Sequence, residues 1–424
     1  MKLNLMLFVD EFGWPLHVAH YLSALPLPFK GDDRFQHKYC VCKRKVPNGI
    51  KPYREINALS DQAKKAIAQN YTVTFTGEDG VSSVVEFKKD HKTDFFQIGR
   101  STETIIDYIV IDTIPGEKNN IKAALKQSTI SRYACRLVVD RSPPYHTRLF
   151  SGGFNSKNRI VLKESAPQWT SSTKFSDGLT TNGVLLMHPK NTWGKSMRPG
   201  VWREVSISGD VFGLRCSRSA KQRGKTTELS NILQDGSLID LCGVVLLWRT
   251  IGGMAKSPTF SDLEKQQEAL NSLNAQCPVG LITLRFKKKK MNIDLTDPYV
   301  YTTCGHVHGY HKWGMKPGVT SDTEDYYDKR ICTFCEQEGY FVSLKFGMEP
   351  AFYIDNGPAT HCFVPCGHVT TEATVKYWSQ VPLPHGKDHF SSLCPFCSVP
   401  LDGREGYVRL IFQTLVEPVR EVLL

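Results

Sequence analysis

Two short strings of soft metal donors are each written twice in this chain. Cys304-Gly305-His306-Val307 is followed by Cys332-Thr333-Phe334-Cys335, and Cys366-Gly367-His368-Val369 by Cys394-Pro395-Phe396-Cys397. The interval between first cysteines is 28 residues both times (304 to 332, 366 to 394). A structural zinc ion takes four thiolate or imidazole donors in a tetrahedron and keeps no open position. Eight donors in four pairs therefore predict two structural zinc ions and no catalytic metal. Spacing leaves two groupings open. The sets are either sequential, or interleaved so that Cys304, His306, Cys366 and His368 hold one ion and Cys332, Cys335, Cys394 and Cys397 the other. His308, His311, His361, Cys362, His385 and His389 crowd the region, and are expected to be surface or packing residues outside the ligand sets. Cys362 is expected to be a buried thiol, not an acceptor for a covalent group.

A second constellation offers donors for an anion. Gly99-Arg100-Ser101, Ser131-Arg132 and Thr180-Thr181-Asn182-Gly183 have turn-like compositions. Guanidinium groups supply forked, charged contacts to phosphate, while hydroxyl and amide groups supply neutral ones. Each piece alone is weak, and their value depends on whether one scaffold brings them together.

That scaffold reads as strands. Between Tyr71 and Thr250 short β-rich runs alternate with Gly, Pro, Asn and Asp turns, among them Tyr71 to Phe75, Ile109 to Ile111, Cys135 to Val139, Val184 to Met187 and Val244 to Trp248. Such spacing predicts a β-sandwich or barrel. Ser60 to Asn70 is predicted to be a short helix capped by Ser60 or Asp61, and Ser261 to Asn274 an amphipathic one capped by Ser261 or Asp262. The zinc-donor region has few long apolar runs, so metal binding must supply much of its folding free energy.

At 424 residues the chain has room for two or three domains, and with 41% hydrophobic and 22% charged residues it has an ordinary globular composition. No run reaches the roughly 20 apolar residues of a membrane helix, so no membrane insertion is expected. The weak apolar start, Met1 to Val9, meets Asp10 and Glu11 with no cleavage-like site, and is not expected to be a secretory signal. Thirteen cysteines, eight of them in donor pairs, favour a reducing compartment. The cytoplasm is therefore expected, with a nuclear pool allowed. The net charge of +11 suits an anionic partner. The run Lys287 to Lys290 lacks interleaved aromatic residues and reads as a solvated linker, so nucleic acid is not an expected partner.

Cys366-Gly367-His368, Trp378 and Cys394-Pro395-Phe396-Cys397 resemble the second half of a RING domain, the zinc module of ubiquitin ligases. The resemblance implies interleaved ions and an apolar groove for a ubiquitin-conjugating enzyme lined by Phe334, Trp378 and Pro395. Ser398 stands where many such domains carry Arg. The anion-donor pieces, with Leu233 to Ile239, resemble the forkhead-associated (FHA) domain, a phosphothreonine reader. The resemblance implies that Arg100, Ser131 and Arg132 grip the phosphate while Thr181 and Asn182 bond the phosphate region and peptide backbone; Ala134 replaces the family's bracing His.

Together, and through stretches such as Phe96 to Glu103, Asp177 to Val184, Cys304 to His311, Tyr377 to Gln380 and Gly406 to Gln413, the sequence is similar to the Pellino family. The implied fold is mostly β: an FHA-like sandwich with an insertion, then a small zinc-stabilised RING-like α+β domain. The expected division is a divergent segment 1–35, the sandwich 36–252, a helical and basic linker 253–298, and the zinc domain 299–424, with 115–127 and 193–199 as candidate insertions. The implied function is a ubiquitin ligase without a covalent intermediate, acting with ubiquitin and a conjugating enzyme on phosphorylated interleukin receptor-associated kinases of Toll-type signalling. A non-enzymatic phosphoprotein scaffold is the alternative.

Overall fold

The computed structural model describes residues 3–9, 38–76, 80–110, 129–162, 166–170, 175–194, 196–287, 294–314, 329–385 and 389–413. Among the described residues strand dominates, at 35% against 11% helix. Two compact units divide the chain, one of 1–254 with 383–390, the other of 255–382 with 391–424.

The first unit is a sandwich. Its seven-stranded sheet runs in the order Val211–Phe212, Arg203–Val205, Leu185–Met187, Leu238–Asp240, Val245–Thr250, Leu3–Val9, Lys38–Val41. A four-stranded sheet runs Tyr108–Ile109, Thr93–Gly99, Cys135–Asp140, Thr147–Ser151. Ile98, Leu137 and Leu149 from the smaller sheet pack with Leu186, Val205, Ile239, Leu246 and Trp248 from the larger in one core. Alternation along Leu185–Met187 and Val245–Thr250 sends Leu186, Leu246 and Trp248 to this core.

Every residue of Thr93–Gly99 is buried, which one packed face cannot explain. A third sheet covers the other side, ordered Arg159–Val161, Tyr71–Thr76, Ser82–Asp90, Gly49–Asn57. Phe95 joins Val73, Phe75, Val85, Phe154 and Ile160 in a second core there. The added layer thus comes chiefly from 49–90, whereas insertion was expected at 115–127, outside the described residues, and at 193–199. Alternation shows that a stretch is a strand but not which sheet it joins. At the 193–199 segment, Trp193 is buried beneath the Arg249 guanidinium at 3.8 Å, and Asp235 of the Leu-x-Asp-Gly stretch holds that arginine.

Asp61–Gln69 is the first predicted helix, with the Ser60 side chain accepting from the Ala63 N–H. The second spans Phe260–Ser272, and its cap is Thr259 instead of Ser261 or Asp262. Thr259 and Asp262 form a reciprocal capping box, which satisfies two otherwise orphaned backbone donors.

In the second unit Ala275, Cys277, Leu284 and Phe286, from the stretch read as linker, share a core with Val300, Val307, Val342, Cys362 and Val369. Lys287 pairs with Asp294; Lys288 to Lys290 lie outside the described residues. Among the described residues no helix is long and apolar enough to cross a membrane.

Candidate zinc centres and anion site

Each Cys-x-His turn joins a tight hairpin: Pro298–Tyr301 with Val307–Gly309, and His361–Phe363 with His368–Thr370. Gly305 and Gly367 sit at φ +80° and +72°, donating to the Tyr301 and Phe363 carbonyls. A Cβ at Gly305 would lie 2.0 Å from the Arg409 carbonyl oxygen, and one at Gly367 2.5 Å from that of Ser343. The glycine between the donors is therefore dictated by both conformation and space. The Cys-x-x-Cys turns match as well. Glu336 and Ser398 both lie at φ +61° and donate to the Cys332 and Cys394 carbonyls.

These turns assemble two donor sets, Cys304, His306, Cys332, Cys335 and Cys366, His368, Cys394, Cys397, with the donor atoms of each within 4.8 Å of one another. His306 Nδ1 lies 3.3 Å from Cys304 Sγ and 3.7 Å from Cys332 Sγ. His368 Nδ1 lies 3.4 Å from Cys366 Sγ and 3.7 Å from Cys394 Sγ. Zinc bonds of about 2.3 Å to sulfur and 2.0–2.1 Å to nitrogen require tetrahedral edges of roughly 3.5 Å, so both sets fit the ion. Burial pushes the Cys304 thiol up to about 12, while hydrogen bonds from its neighbours outweigh burial and hold Cys335 below the ordinary thiol value. Thiols this close do not ionise together unaided, and a bound dication supplies the charge that lets them do so.

The grouping is sequential, which corrects the interleaved arrangement that the RING resemblance implied. Strand pairing is the cause. Glu338–Ser343 leaves the Cys332–Cys335 turn and pairs directly with Pro298–Tyr301, carrying that turn to its own hairpin. The two modules are then cross-braced. Lys345–Phe346, downstream of the first, pairs in parallel with His368 and Val369 of the second. Ile411, downstream of the second, bridges His306 of the first and exchanges backbone bonds with Gly305 and Val307.

The other donors stay outside both sets. His308 is buried with Nε2 at 4.0 Å from Cys332 Sγ, and Tyr301 and His311 rings pack against it. His361 contacts Tyr407, and Cys362 is fully buried. The side chains of His385 and His389 are not among those described.

The proposed conjugating-enzyme groove requires a larger correction. Phe334 is 58% exposed, its ring 4.8 Å from that of His306. Trp378 is 0% exposed, with its indole N–H donating to the Phe352 carbonyl at 2.8 Å, and Pro395 is buried too. Neither can line a surface groove. The helix Glu372–Trp378 and the turn Pro350–Phe352 cover the second module, and Phe396, the counterpart of Phe334, packs on Phe352 and His368. Trp378→Ala should therefore act on stability. Loss of a buried indole costs about 3–5 kcal/mol, measurable by urea denaturation of the zinc-loaded protein.

At one end of the sandwich the three anion-donor pieces converge. Arg100 N and Ser101 N donate to the Ser131 and Arg132 carbonyls at 3.1 and 3.0 Å, and Arg100 Nε to that of Ile130 at 3.0 Å. The Asn182 amide donates to the Thr129 carbonyl, tying the third loop to the second. Among the described residues, Arg100 has no carboxylate within ion-pair distance, and the hydroxyls of Ser131 and Thr181 have no protein partner. Arg132 differs, being paired with Glu103 at 2.6 Å; the Tyr133 hydroxyl bonds the same carboxylate oxygen and, with that pair, holds Glu103 below its usual pKa.

Sequence reasoning missed two arginines. Arg218 Nη1 donates to the Asn182 carbonyl at 2.8 Å and pairs with buried Asp240. Arg215 Nη2 donates to the Thr180 carbonyl at 3.1 Å and forks onto Glu204. Burial opposes the charge on Arg218, yet Asp240 raises its pKa overall, so the brace stays charged. Nothing in the local sequence pairs residues 11 or 22 positions apart in this way.

A β-sandwich with an anion-receptive loop cluster, joined in one chain to a two-centre zinc module, defines a modular recognition protein. Comparison with known proteins agrees. The model of the Pellino FHA domain matches residues 18–266 and that of the Pellino RING domain 270–417. Human E3 ubiquitin-protein ligase pellino homolog 2 is 47% identical over 403 residues, 94% of each chain. Drosophila melanogaster protein pellino is 46% identical, covering 94% of this chain and 92% of its own. Human E3 ubiquitin-protein ligase pellino homolog 3 is 46% identical, covering 95% and 85%. The chain belongs to the Pellino family.

Proposed function

We propose that the protein is a RING-type ubiquitin-protein ligase of the cytoplasm that selects substrates through phosphothreonine. The substrates are signalling kinases of the interleukin receptor-associated type in Toll and interleukin-1 receptor signalling. The observation that carries the first half is Arg100, a cation in a cluster of three loops that bond one another, with no carboxylate partner among the described residues. A phosphate dianion there meets the guanidinium together with the Ser131 and Thr181 hydroxyls. Asn182, fixed to Thr129 and Arg218, presents the edge of its loop to the peptide.

The second half rests on proximity chemistry. The protein needs no nucleophile of its own, since holding a substrate lysine beside a conjugating enzyme's ubiquitin thioester makes the attack effectively intramolecular. The docking face is the first zinc module. Trp313, Ile331, Phe334 and Ile411 are 68%, 43%, 58% and 44% exposed; Ile331 bonds Gly314, while Phe334 and Ile411 both adjoin His306. Phe334→Ala should reduce autoubiquitination, in a purified system with a panel of conjugating enzymes, by roughly 30-fold, the size of one interface hot spot. Zinc content should stay unchanged. Chain formation undiminished in that variant would move the docking face elsewhere, and none by the wild type with any conjugating enzyme would leave a phosphoprotein scaffold.

The reader half is tested by calorimetry with matched threonine and phosphothreonine peptides. A preference beyond about tenfold is expected, and less than that would leave the assignment without support.

A further inference from the structure

The strand Val211–Phe212 opens a hairpin that returns through an isolated bridge between Phe212 and Thr226. Its excursion is strongly basic: Arg215, Arg218, Lys221, Arg223 and Lys225 fall between Gly213 and Thr226 without one acid. Arg215 and Arg218 are neutralised by Glu204 and Asp240, and they tie the hairpin to the Thr180–Gly183 loop. Lys221, Arg223 and Lys225 are exposed, and among the described residues none has a carboxylate within ion-pair distance.

Arg223 is not a loose surface cation. Its guanidinium stacks 4.8 Å from Trp169 and 4.9 Å from Phe212, and those rings meet edge to face at 5.2 Å. One N–H is spent on the Thr226 hydroxyl at 3.1 Å, leaving the rest of the fork for a ligand. Fixing the fork before binding lowers the entropy lost on complex formation. Trp169 pairs in register with Asp177, four positions before Thr181, so the stacked arginine lies beside the strand that feeds the phosphothreonine loop. Four residues of chain span at most about 14 Å, the reach of about four residues of extended peptide.

We propose that this hairpin is a second anion site, in which Arg223, with Lys221 and Lys225, engages an anionic side chain of the peptide whose phosphothreonine is held by Arg100. It rests on the phosphothreonine reading above and narrows the substrates to peptides with a carboxylate or second phosphate about three to five residues away. A nucleic acid is less suited, since the planar platform at this hairpin, Trp169 with Phe212, is already covered by the arginine.

The test uses the full-length protein and synthetic phosphothreonine peptides with all-alanine flanks, with glutamates three to five residues to either side, or with a single phosphoserine there. The glutamate or phosphoserine peptides should bind at least about tenfold tighter than the alanine one, and the gain should shrink in high salt. Comparing those two arms tells carboxylate from phosphate. Arg223→Gln should erase the gain while leaving the alanine-flanked phosphopeptide at wild-type affinity, which also shows that the variant is folded. Lys221→Ala, on an exposed side chain, should give a smaller loss of the same kind. Equal affinities for all flanks, or a gain that survives both substitutions, would overturn the proposal while leaving the phosphothreonine site standing. No discrimination between phosphothreonine and threonine would overturn both. A nucleic-acid oligonucleotide captured through Arg223 in place of the acidic peptides would overturn the second site alone.

Discussion

Cys366→Ser is expected to release both zinc ions, not one, and to unfold the second unit. A structural zinc site contributes about 10–16 kcal/mol to folding, and replacing a thiolate with a hydroxyl forfeits most of it. The propagation follows from the cross-bracing. Once the second module loses its metal, the His368–Thr370 strand no longer holds Lys345–Phe346, and the segment containing Ile411 no longer supports the hairpin of His306. Cys362, Val369, Val300 and Val307 also share one core, so the modules have a common interior through which damage spreads. Elemental analysis of the purified variant should give well under one zinc per chain, with no ubiquitin transfer. A variant that retains one tightly bound zinc and a cooperative unfolding transition would show that the modules are independent.

The second large effect is at Arg100. Hydrogen bonds to charged groups contribute about 1.5–3 kcal/mol, so Arg100→Ala should weaken a phosphothreonine peptide by roughly 10- to 150-fold in calorimetry. Autoubiquitination, which needs no phosphopeptide, should persist. Arg132 is a poorer candidate for the same role because its charge is already engaged by Glu103. Arg132→Ala should cost less than Arg100→Ala, and the reverse order would mean that the peptide draws Arg132 away from Glu103.

The donor residues of both centres were legible in the sequence because metal chemistry restricts them to Cys and His at short spacing, and because the motif repeats. Gly305 and Gly367 were part of that signal, since their positive φ and the carbonyls beside them admit no side chain. The grouping was not legible. It depends on which strand pairs with which hairpin, and Glu338–Ser343 and Lys345–Phe346, nearly consecutive in the chain, join different modules. The burial of Trp378 was hidden for a related reason. A tryptophan on a short helix has the same spacing whether it faces solvent or a neighbour, and the covering turn at Pro350–Phe352 carries no motif.

In the sandwich the loop residues were readable because Gly-Arg and Thr-Asn-Gly are turn sequences with donors attached. What aims them was not. Arg215 and Arg218 reach the Thr180–Gly183 loop across sheet neighbours, and their partners Glu204 and Asp240 are buried acids on separate strands. The outer sheet of 49–90 was unanticipated because its strands alternate as the sandwich strands do; only the complete burial of Thr93–Gly99 reveals that a layer lies on each side.

The most direct test of the whole account joins its two halves in one reaction. A kinase-derived substrate carrying a single phosphothreonine and an accessible lysine is incubated with the protein, ubiquitin, activating enzyme and a conjugating enzyme, beside the same substrate after phosphatase treatment. The account predicts ubiquitin transfer to the phosphorylated substrate that falls by about tenfold or more on dephosphorylation, and equally with Arg100→Ala. Equal transfer to both forms, with autoubiquitination intact, would contradict it.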